Sequence, residues 1–159
     1  MQQKDVAIRR FRAGDEVSVS EVIRTALDVS NRRDYAPEFI EERIREYSPE
    51  RVAVSARDAH MYVACDGEAV IGCGAISGYW GSTEESYLSS IFVLPEYQRR
   101  GVGRRIVEAL EADAYFLRAW HTEVGASLTA VPFYLKLGYA FKAGRTETFG
   151  VVRMEKRRG

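Results

Sequence analysis

The sequence predicts a fold of the α/β (α+β) class, in which helices flank a β-sheet, and three observations support it. The apolar run at residues 88–94 has the β-branched and bulky side chains of a buried strand, and it stops at Pro95, which has no backbone N–H to donate. Beyond two closely spaced glycines, apolar residues recur with the helical period of about 3.6 residues as far as Leu117. Upstream, the dipeptide Asp66-Gly67 is a strong signal for a β-hairpin.

The N-terminal part of the chain is expected to contain one strand and two helices. Apolar and polar residues alternate at residues 6–11, which predicts the strand. Asp15 is suited to cap the first helix, because its carboxylate can accept a free backbone N–H. The second helix is expected to begin at Pro37, whose fixed φ suits a first helical position, and to be closed by Pro49.

The predicted hairpin bears on the two cysteines. Residues 61–64 and 69–76 are expected to form its strands, and a two-residue turn between them pairs Cys65 with Glu68. Cys73 then lies far from Cys65, so the sequence argues against a disulfide. We expect both cysteines to be small buried hydrophobic residues.

The remaining segments complete an alternating order of elements. They are a polar loop at 80–86, a strand at 122–126, a helix at 130–137 ended by Gly138, and final strands at 139–142 and 148–154 around a turn at Gly144. The resulting order is β-α-α-β-β-β-α-β-α-β-β. We expect residues 1–159 to form one domain, since this length is enough for a proper hydrophobic core.

Composition and charge narrow the classes of function. The net charge is zero, with 23 basic and 23 acidic residues, so no global basic field exists to recruit nucleic acid. No apolar run approaches the ~20 residues of a membrane span and the N-terminus does not resemble a signal peptide, which makes the cytoplasm the expected compartment. His60 and His121 lack metal-ligand spacing, so no metal is expected.

The glycine-containing loop is suited to an anion. A helix start leaves about four N–H groups without internal partners, at the positive end of the helix dipole. Gly101 and Gly103 allow close backbone approach, and arginines surround them. The loop lacks the Gly-Lys-Ser/Thr ending of a Walker A motif and, with Ile106, the third glycine of a dinucleotide fingerprint. A tight turn with a solvated arginine cluster is the alternative interpretation.

Two motifs in the right order carry a resemblance to a known family. Residues 98–103 read QRRGVG, which fits the pattern Gln/Arg-x-x-Gly-x-Gly/Ala. Residues 127–139 read SLTAVPFYLKLGY, which is similar to Ala-x-x-Phe-Tyr-x-x-x-Gly-Phe/Tyr. These segments resemble the acyl-CoA loop and a later segment of the GNAT superfamily of N-acetyltransferases, and the resemblance covers the chain from about residue 5 to residue 156.

The resemblance implies a GNAT-like fold and a set of cofactor contacts. The fold is a mixed, mostly antiparallel sheet with flanking helices, in which the parallel strands 88–94 and 122–126 splay apart around the thioester of acetyl-CoA. The implied contacts with acetyl-CoA come from the strand (Ile91, Phe92 and Val93) and from the loop (Arg99, Arg100, Gly101, Val102, Gly103 and Arg104). A further implied contact is Ser127, near the position where many relatives have Asn.

The implied activity is direct transfer of the acetyl group from acetyl-CoA to a primary amine. Tyr134 matches the family's general acid, which protonates the leaving thiolate, although it could instead simply pack the last helix. Glu85 and Glu123 occupy positions where carboxylates act as bases in some relatives, as do Glu84 and Tyr87, and each carboxylate could equally be a solvated surface charge.

Several alternatives stay open at the level of sequence. The same fold can serve as a non-catalytic acyl-CoA-binding or interaction module. The amine acceptor, a small molecule or a peptide, is not identified; Glu84 and Glu85 hint at a cationic one. Tyr35 and Phe39 border the implied acceptor pocket or are ordinary core aromatics. A homodimer is common among similar proteins.

Overall fold

The computed structural model describes residues 6–143, 147–148 and 150–158, and these residues form eight strands and six α-helices. The strands are β1 (Val6–Arg10), β2 (His60–Asp66), β3 (Ala69–Tyr79), β4 (Ser82–Val93), β5 (His121–Ser127), β6 (Ala140–Phe141), β7 (Glu147–Thr148) and β8 (Val151–Arg157). The helices are α1 (Glu16–Val29), α2 (Pro37–Glu46), α3 (Pro49–Asp58), α4 (Val102–Glu111), α5 (Ala114–Leu117) and α6 (Val131–Lys136). The turn expected at Gly144 lies outside the described residues.

All eight strands belong to one mixed sheet. Its order is β1-β2-β3-β4-β5-β8-β6, and β7 pairs with β8. Every pairing is antiparallel except that of β4 with β5, which is parallel. The predicted fold class, a mostly antiparallel sheet with flanking helices and one parallel pair, is therefore confirmed.

Two apolar clusters cover the two faces of the sheet. One cluster joins α1 and α3 to the sheet and includes Ile23 and Val63. The other joins α4 to the sheet and includes Ile106, Leu110 and Ala64. Because Val63 and Ala64 are consecutive residues of β2, their side chains point to opposite faces. The sheet is thus a layer between helices.

The parallel pair comes apart partway along its length. Its four residue pairs begin at Glu85 opposite His121 and end at Leu88 opposite Val124. Just beyond, Ser90 has a φ of +54°, and the register between β3 and β4 shifts at the same place. These features mark a β-bulge, which bends a strand and increases its twist. β4 therefore turns away from β5, and the splayed pair predicted from the sequence is confirmed.

Two predictions for the helical N-terminal region are wrong. Pro49 follows the second helix but also begins a third helix, α3, which the sequence did not predict. Ser48 caps α3, because its hydroxyl accepts a hydrogen bond from the Arg51 N–H at 3.3 Å. Asp15 precedes α1 without capping it. Its carboxylate instead pairs with the Arg9 guanidinium at 2.8 Å, so the side chain faces the first strand rather than the helix.

The long helix predicted to reach Leu117 is two helices. α4 ends at Glu111, and Asp113 starts α5 by accepting a hydrogen bond from the Tyr115 N–H at 2.9 Å. The same carboxylate accepts a hydrogen bond from the Tyr62 hydroxyl at 2.6 Å, which anchors the break to β2. Leu117 is consequently 56% exposed rather than part of the core stripe.

The turns around β3 are tighter than predicted. The hairpin turn consists of Gly67 and Glu68, one residue later than expected, because Gly67 takes a φ of +61° and Asp66 pairs with Ala69. The loop expected at residues 80–86 is only Trp80-Gly81, so β4 begins at Ser82.

The last predicted strand, at residues 148–154, is instead two strands, β7 and β8, separated at Gly150 with its φ of +80°, and β8 continues to Arg157. The expectations for the cysteines and for Gly138 are confirmed. Cys65 and Cys73 are buried free thiols. Gly138, with a φ of +95°, follows α6 as its stop signal.

The packing of α4 on the sheet leads to a stability prediction. A Cβ atom on Gly74 would lie 2.6 Å from Ile106 Cγ2 and 3.3 Å from Leu110 Cδ1, inside the core. We expect Gly74→Ala to lower the free energy of unfolding by about 1–3 kcal/mol, because overpacking forces the helix to shift. Denaturant unfolding measures this loss. Gly78→Ala on the same strand is the control, because its Cβ would meet only the flexible end of Arg118 at 3.3 Å and the Ser82 carbonyl at 3.6 Å. Equal losses in the two variants would contradict the packing argument.

Candidate active site

A cavity of about 1100 Å³ opens where β4 and β5 diverge. Its walls come from the ends of α1 and α2, from β4 and β5, from the loop before α4, and from α6. The predicted site residues that line it are Ile91, Phe92, Val93, Arg99, Gly101, Gly103, Arg104, Ser127 and Tyr134. The predicted site residues outside its lining are Arg100, Val102, Glu85 and Glu123.

The loop before α4 presents the start of a helix to the cavity. Gly101 has a φ of +80° and immediately precedes α4, and no side chain of the described residues caps this helix. The first N–H groups of a helix have no partners within the helix, so those of α4 remain available to a ligand. Arg99, with a φ of +64°, and Arg104 line the same end of the cavity. This end can bind an anion through both backbone donors and positive charge.

Neighbouring contacts hold this loop in place. A Cβ on Gly103 would lie 3.3 Å from the Phe133 ring, so only a short distance separates α4 from α6. The Gln98 side chain donates hydrogen bonds to the Val93 carbonyl and to the Ser30 hydroxyl, each at 3.0 Å. These bonds connect the loop to β4 and to the end of α1.

Two residues of the predicted motif face elsewhere. The guanidinium of Arg100 lies over the Tyr97 ring, 5.8 Å from its centroid. The side chain of Val102 is 1% exposed and belongs to the core under the sheet. Its backbone N–H still belongs to the first turn of α4.

The strip of β4 beyond the bulge has one free edge. The Leu94 N–H donates to the Ile71 carbonyl of β3 at 2.9 Å, so backbone groups at every second residue face β3. The backbone groups of Ile91 and Val93 therefore point to the other side, where pairing with β5 has ended. This edge offers hydrogen-bonding groups along the cavity wall.

Tyr134 of α6 brings a buried hydroxyl to the cavity. The residue is 5% exposed and lines the cavity. Among the described residues its hydroxyl has no hydrogen-bond partner, and the hydroxyl oxygen is not fully buried. Because the residue lines the cavity, this oxygen is exposed on the cavity side. Burial, and then the nearby Tyr87, raise the pKa of this phenol above its ordinary value. The hydroxyl is thus a neutral donor.

Tyr87 of β4 lies between Tyr134 and the polar end of the sheet. Burial, and then the Glu123 carboxylate, raise the pKa of Tyr87, which also lines the cavity. A Cβ on Gly125 would come within 3.1 Å of the Tyr87 hydroxyl, so glycine is needed there for the ring to fit. The cavity wall therefore carries two neutral phenols.

Glu123, predicted as a base, is 2% exposed and fully engaged. It accepts hydrogen bonds from Lys142 Nζ at 2.5 Å, Arg153 Nε at 3.0 Å and the Tyr79 hydroxyl at 3.0 Å. Burial alone would raise the pKa of this carboxyl, but the hydrogen bonds outweigh burial and lower it. Glu123 opposes Tyr87 in the parallel ladder without reaching the cavity surface.

Glu85, the other predicted base, belongs to a second polar cluster. Its carboxylate contacts His121 Nδ1 at 3.0 Å, and His121 Nε2 contacts Glu155 at 2.8 Å. This cluster lies at the start of the parallel pair, before the strands diverge. Its neighbour Glu84 is exposed and also outside the cavity lining.

An aromatic wall faces β4 from α2. Tyr35, Phe39, Arg43 and Tyr47 line the cavity, and Tyr47 packs edge-on against Phe92 with ring centroids 5.8 Å apart. The sequence suggested Tyr35 and Phe39 but not Arg43 or Tyr47. A usable signal existed, because residues 39, 43 and 47 follow each other at four-residue intervals on one helix face.

The segment between α1 and α2 closes over the far side of the cavity. Asp34 accepts a hydrogen bond from the Thr129 hydroxyl, next to the predicted contact Ser127. A Cβ on Gly150 would lie 2.8 Å from the Tyr35 ring, so the chain before β8 packs tightly on this segment. Residues distant in sequence thus enclose one space.

The residues that the structure describes contain no group of three or more His, Cys, Asp or Glu side chains placed to hold a metal ion. Over the same ranges, no helix is long and apolar enough to cross a membrane.

Comparisons with known proteins agree with this geometry. A model of the acetyltransferase (GNAT) family matches residues 24–139. Among solved structures, the PaiA N-acetyltransferase of Thermoplasma acidophilum in complex with coenzyme A is 21% identical, covers 96% of this chain and 99% of its own, and has a TM-score of 0.82. A GCN5-related N-acetyltransferase of Rhodopseudomonas palustris is 21% identical, with coverage of 96% and 95% and a TM-score of 0.78.

A third structure extends the likeness at lower identity. An acetyltransferase of Streptococcus agalactiae is 14% identical, with coverage of 98% and 99% and a TM-score of 0.71. No curated protein matches the chain. The family model covers most of the sequence, and the solved structures have the same fold, so this chain belongs to the GNAT family of acetyltransferases.

Proposed function

We propose that this chain is an acetyl-CoA-dependent N-acetyltransferase that moves an acetyl group directly to a primary amine. One observation carries the proposal: the uncapped start of α4, the free edge of β4 and the open hydroxyl of Tyr134 all face the same cavity. The coenzyme A complex of the Thermoplasma acidophilum protein supports coenzyme A as the carrier. Residues 1–159 act as one catalytic domain in this proposal.

The phosphates of the co-substrate bind at the loop before α4. The backbone N–H groups of Gly101, Val102 and Gly103 provide donors at the positive end of the helix. Arg99 and Arg104 line the cavity beside them, and Arg100 adds positive charge from its position over Tyr97. No side chain competes for the donors, because α4 is uncapped.

The pantetheine arm and thioester occupy the gap between the strands. The free edge of β4 supplies backbone hydrogen bonds to the amides of the arm from Ile91 and from the Val93 N–H, while the Phe92 side chain lines the gap. A backbone N–H in this strip also stabilises the negative charge that develops on the thioester oxygen. Ser127, at the end of β5, contacts the arm from the opposite side of the gap.

The chemical step forms one bond and breaks another. The neutral amine nitrogen attacks the thioester carbonyl, a C–N bond forms, and the C–S bond then breaks. The hydroxyl of Tyr134 donates its proton to the departing sulfur, and the nitrogen releases its surplus proton to water. The phenolate is reprotonated from solvent, so the net reaction converts amine and thioester to amide and thiol.

The acceptor's own equilibrium with water supplies the neutral amine. The described residues that line the cavity include no carboxylate and no imidazole. The phenols of Tyr35, Tyr87 and Tyr134 have raised pKa values, so they stay protonated and are not available as bases. Glu85 and Glu123 stay predictions as bases, and either would have to act through water or through Tyr87.

Coenzyme A binding tests the loop. Gly101→Asp and Gly101→Ala both force a side chain onto a φ of +80°, but only aspartate adds negative charge next to the phosphates. We expect coenzyme A to bind Gly101→Asp at least tenfold more weakly than Gly101→Ala, or about 1.4 kcal/mol, as measured by calorimetry. Equal affinities in the two folded variants would rule out phosphate binding at this loop.

The role of Tyr134 can be isolated from its packing. Tyr134→Phe keeps the ring and removes only the hydroxyl, so we expect kcat to fall by about 10² while KM changes little. The assay is thiol release from acetyl-CoA with a panel of amines. Tyr139→Phe is the matched control, because its hydroxyl binds Glu111 at 2.8 Å and does not line the cavity. A rate for Tyr134→Phe within threefold of the parent would make Tyr134 structural. Coenzyme A binding without thiol release from any amine would favour the non-catalytic module.

The pH dependence of kcat/KM tests the absence of an enzyme base. We expect its rising limb to follow the pKa of the acceptor amine and to move when an amine of different pKa is used. Because the pKa of Tyr134 is raised, the donor keeps its proton as pH increases, and kcat should show no decline near pH ~10, where a free phenol ionises. A rising limb common to all acceptors, and lost in Glu123→Gln or Glu85→Gln, would identify that carboxylate as the base.

A further inference from the structure

We infer that the amine acceptor carries a carboxylate and an aromatic or bulky apolar group, and that Arg43 selects it. The inference rests on the proposed N-acetyltransferase activity and concerns the half of the cavity opposite the phosphate loop. Neither the family nor the fold determines this acceptor.

The α2 side of the cavity is built from aromatic rings. The Tyr35 and Phe39 rings lie 4.7 Å apart between centroids, tilted by 31°. Tyr47 contacts Phe92 of the strip on β4, so this wall stands directly over the part of the cavity assigned to the thioester. An apolar or aromatic body held here would bring its amine close to the carbonyl carbon. Such surfaces bind planar and apolar groups well.

Arg43 is the cation within this wall. Its Nη1 contacts Glu46 at 2.9 Å, its Nη2 donates to the Tyr47 hydroxyl at 3.2 Å, and its guanidinium lies 5.3 Å from the Tyr47 ring centroid. These contacts, an ion pair with Glu46 among them, orient the guanidinium and occupy only part of its five N–H donors. Arg43 lines the cavity, whereas Glu46 lines a separate smaller cavity of about 440 Å³. The fixed fork can therefore pair with a ligand carboxylate.

The charge of the lining excludes a polycationic acceptor. The charged residues that line the cavity are all basic: Arg33, Arg43, Arg99, Arg104 and Lys136. Within the described chain no aspartate or glutamate joins them. A polyamine would need carboxylates to balance its second charge, and the buried Glu123, beside Tyr87 in the parallel ladder, is already paired with two cations. Glu84 and Glu85, which hinted at a cationic acceptor, lie outside the lining.

The basic residues divide between the two ends of the cavity. Arg99 and Arg104 belong to the phosphate loop, and Lys136 follows Phe133, which packs on that loop. Arg33 lies in the segment between α1 and α2, between Ser30, whose hydroxyl accepts a hydrogen bond from Gln98 of that loop, and Tyr35 of the aromatic wall. Arg43 alone stands among the aromatic rings of α2. Arg43 is thus the cation of the lining that is placed for the carboxylate of an acceptor held by these rings.

Paired amines test the inference by thiol release from acetyl-CoA. L-phenylalanine has an aromatic ring and a carboxylate, phenethylamine lacks the carboxylate, glycine lacks the ring, and spermidine is polycationic. We expect kcat/KM for L-phenylalanine to exceed that of each other amine by at least tenfold. Arg43→Gln should reduce the ratio of L-phenylalanine to phenethylamine at least tenfold, mainly through KM, and Arg43→Lys should restore part of it. Because the ratio is compared between variants, the different pKa values of the amines cancel.

The control removes a charge from the same region. Arg32→Gln deletes an exposed guanidinium that pairs with Asp28 and Glu41 but does not line the cavity, so the ratio should stay unchanged. The inference is overturned if phenethylamine or spermidine is the best acceptor, or if Arg43→Gln, with unchanged thermal unfolding, leaves the ratio intact. Failure of the proposed function is distinct, because no amine would then release thiol from acetyl-CoA.

Discussion

The end of parallel pairing at Leu88 and Val124 is the constraint on which the rest of the structure depends. A buried backbone group without a partner costs about 1–3 kcal/mol, so two central strands can separate only where water or a ligand replaces the lost bonds. Each of the two strands loses its backbone pairing only on the edge that faces the gap. β4 keeps its pairing with β3 up to the Leu94 N–H, and β5 keeps its pairing with β8 along its whole length. The gap is therefore a defined opening between two supported strands.

The surroundings of the gap explain why it stays open. On one face, Ile106 of α4 packs directly against Gly74 of β3, with no room for even a Cβ atom between them. On the other side of β5, Glu123 connects Arg153 of β8 with Lys142 beyond β6. Each element next to the opening is held by contacts that do not involve the opening itself. Such support keeps a binding site organised before its ligand arrives.

The sequence predicts the elements that local patterns define and misses those that tertiary contacts define. The strand ending at Pro95, the helix after the glycine loop and the stop at Gly138 follow from backbone chemistry within a few residues. The break at Asp113 depends on Tyr62, which is remote in sequence, and no local pattern reveals it.

The candidate site divides in the same way. The loop from Arg99 to Arg104 could be predicted because its glycines and arginines are consecutive. Arg43 and Tyr47 were missed because their helical spacing has a second explanation as an ordinary surface stripe. Only the packing of Tyr47 against Phe92 across the cavity distinguishes a wall of the site from a surface stripe. The position of Glu123 in the chain predicted a carboxylate near the site. Its two cationic partners lie nineteen and thirty residues later in the sequence, so the ion pairs that engage it could not be predicted.

The distribution of charge around the cavity follows from what an acyl transfer must stabilise. Negative charge develops on the thioester oxygen and then on the sulfur, next to a carrier that already bears phosphates. A carboxylate in the lining would oppose all of these, whereas neutral phenols and cations support them. The lining contains three phenols with raised pKa values, those of Tyr35, Tyr87 and Tyr134, and five basic residues, and the nearby carboxylate Glu123 is neutralised by ion pairs behind the surface. In the proposed reaction, this arrangement lowers the barrier for departure of the thiolate, and the amine loses its proton before it enters.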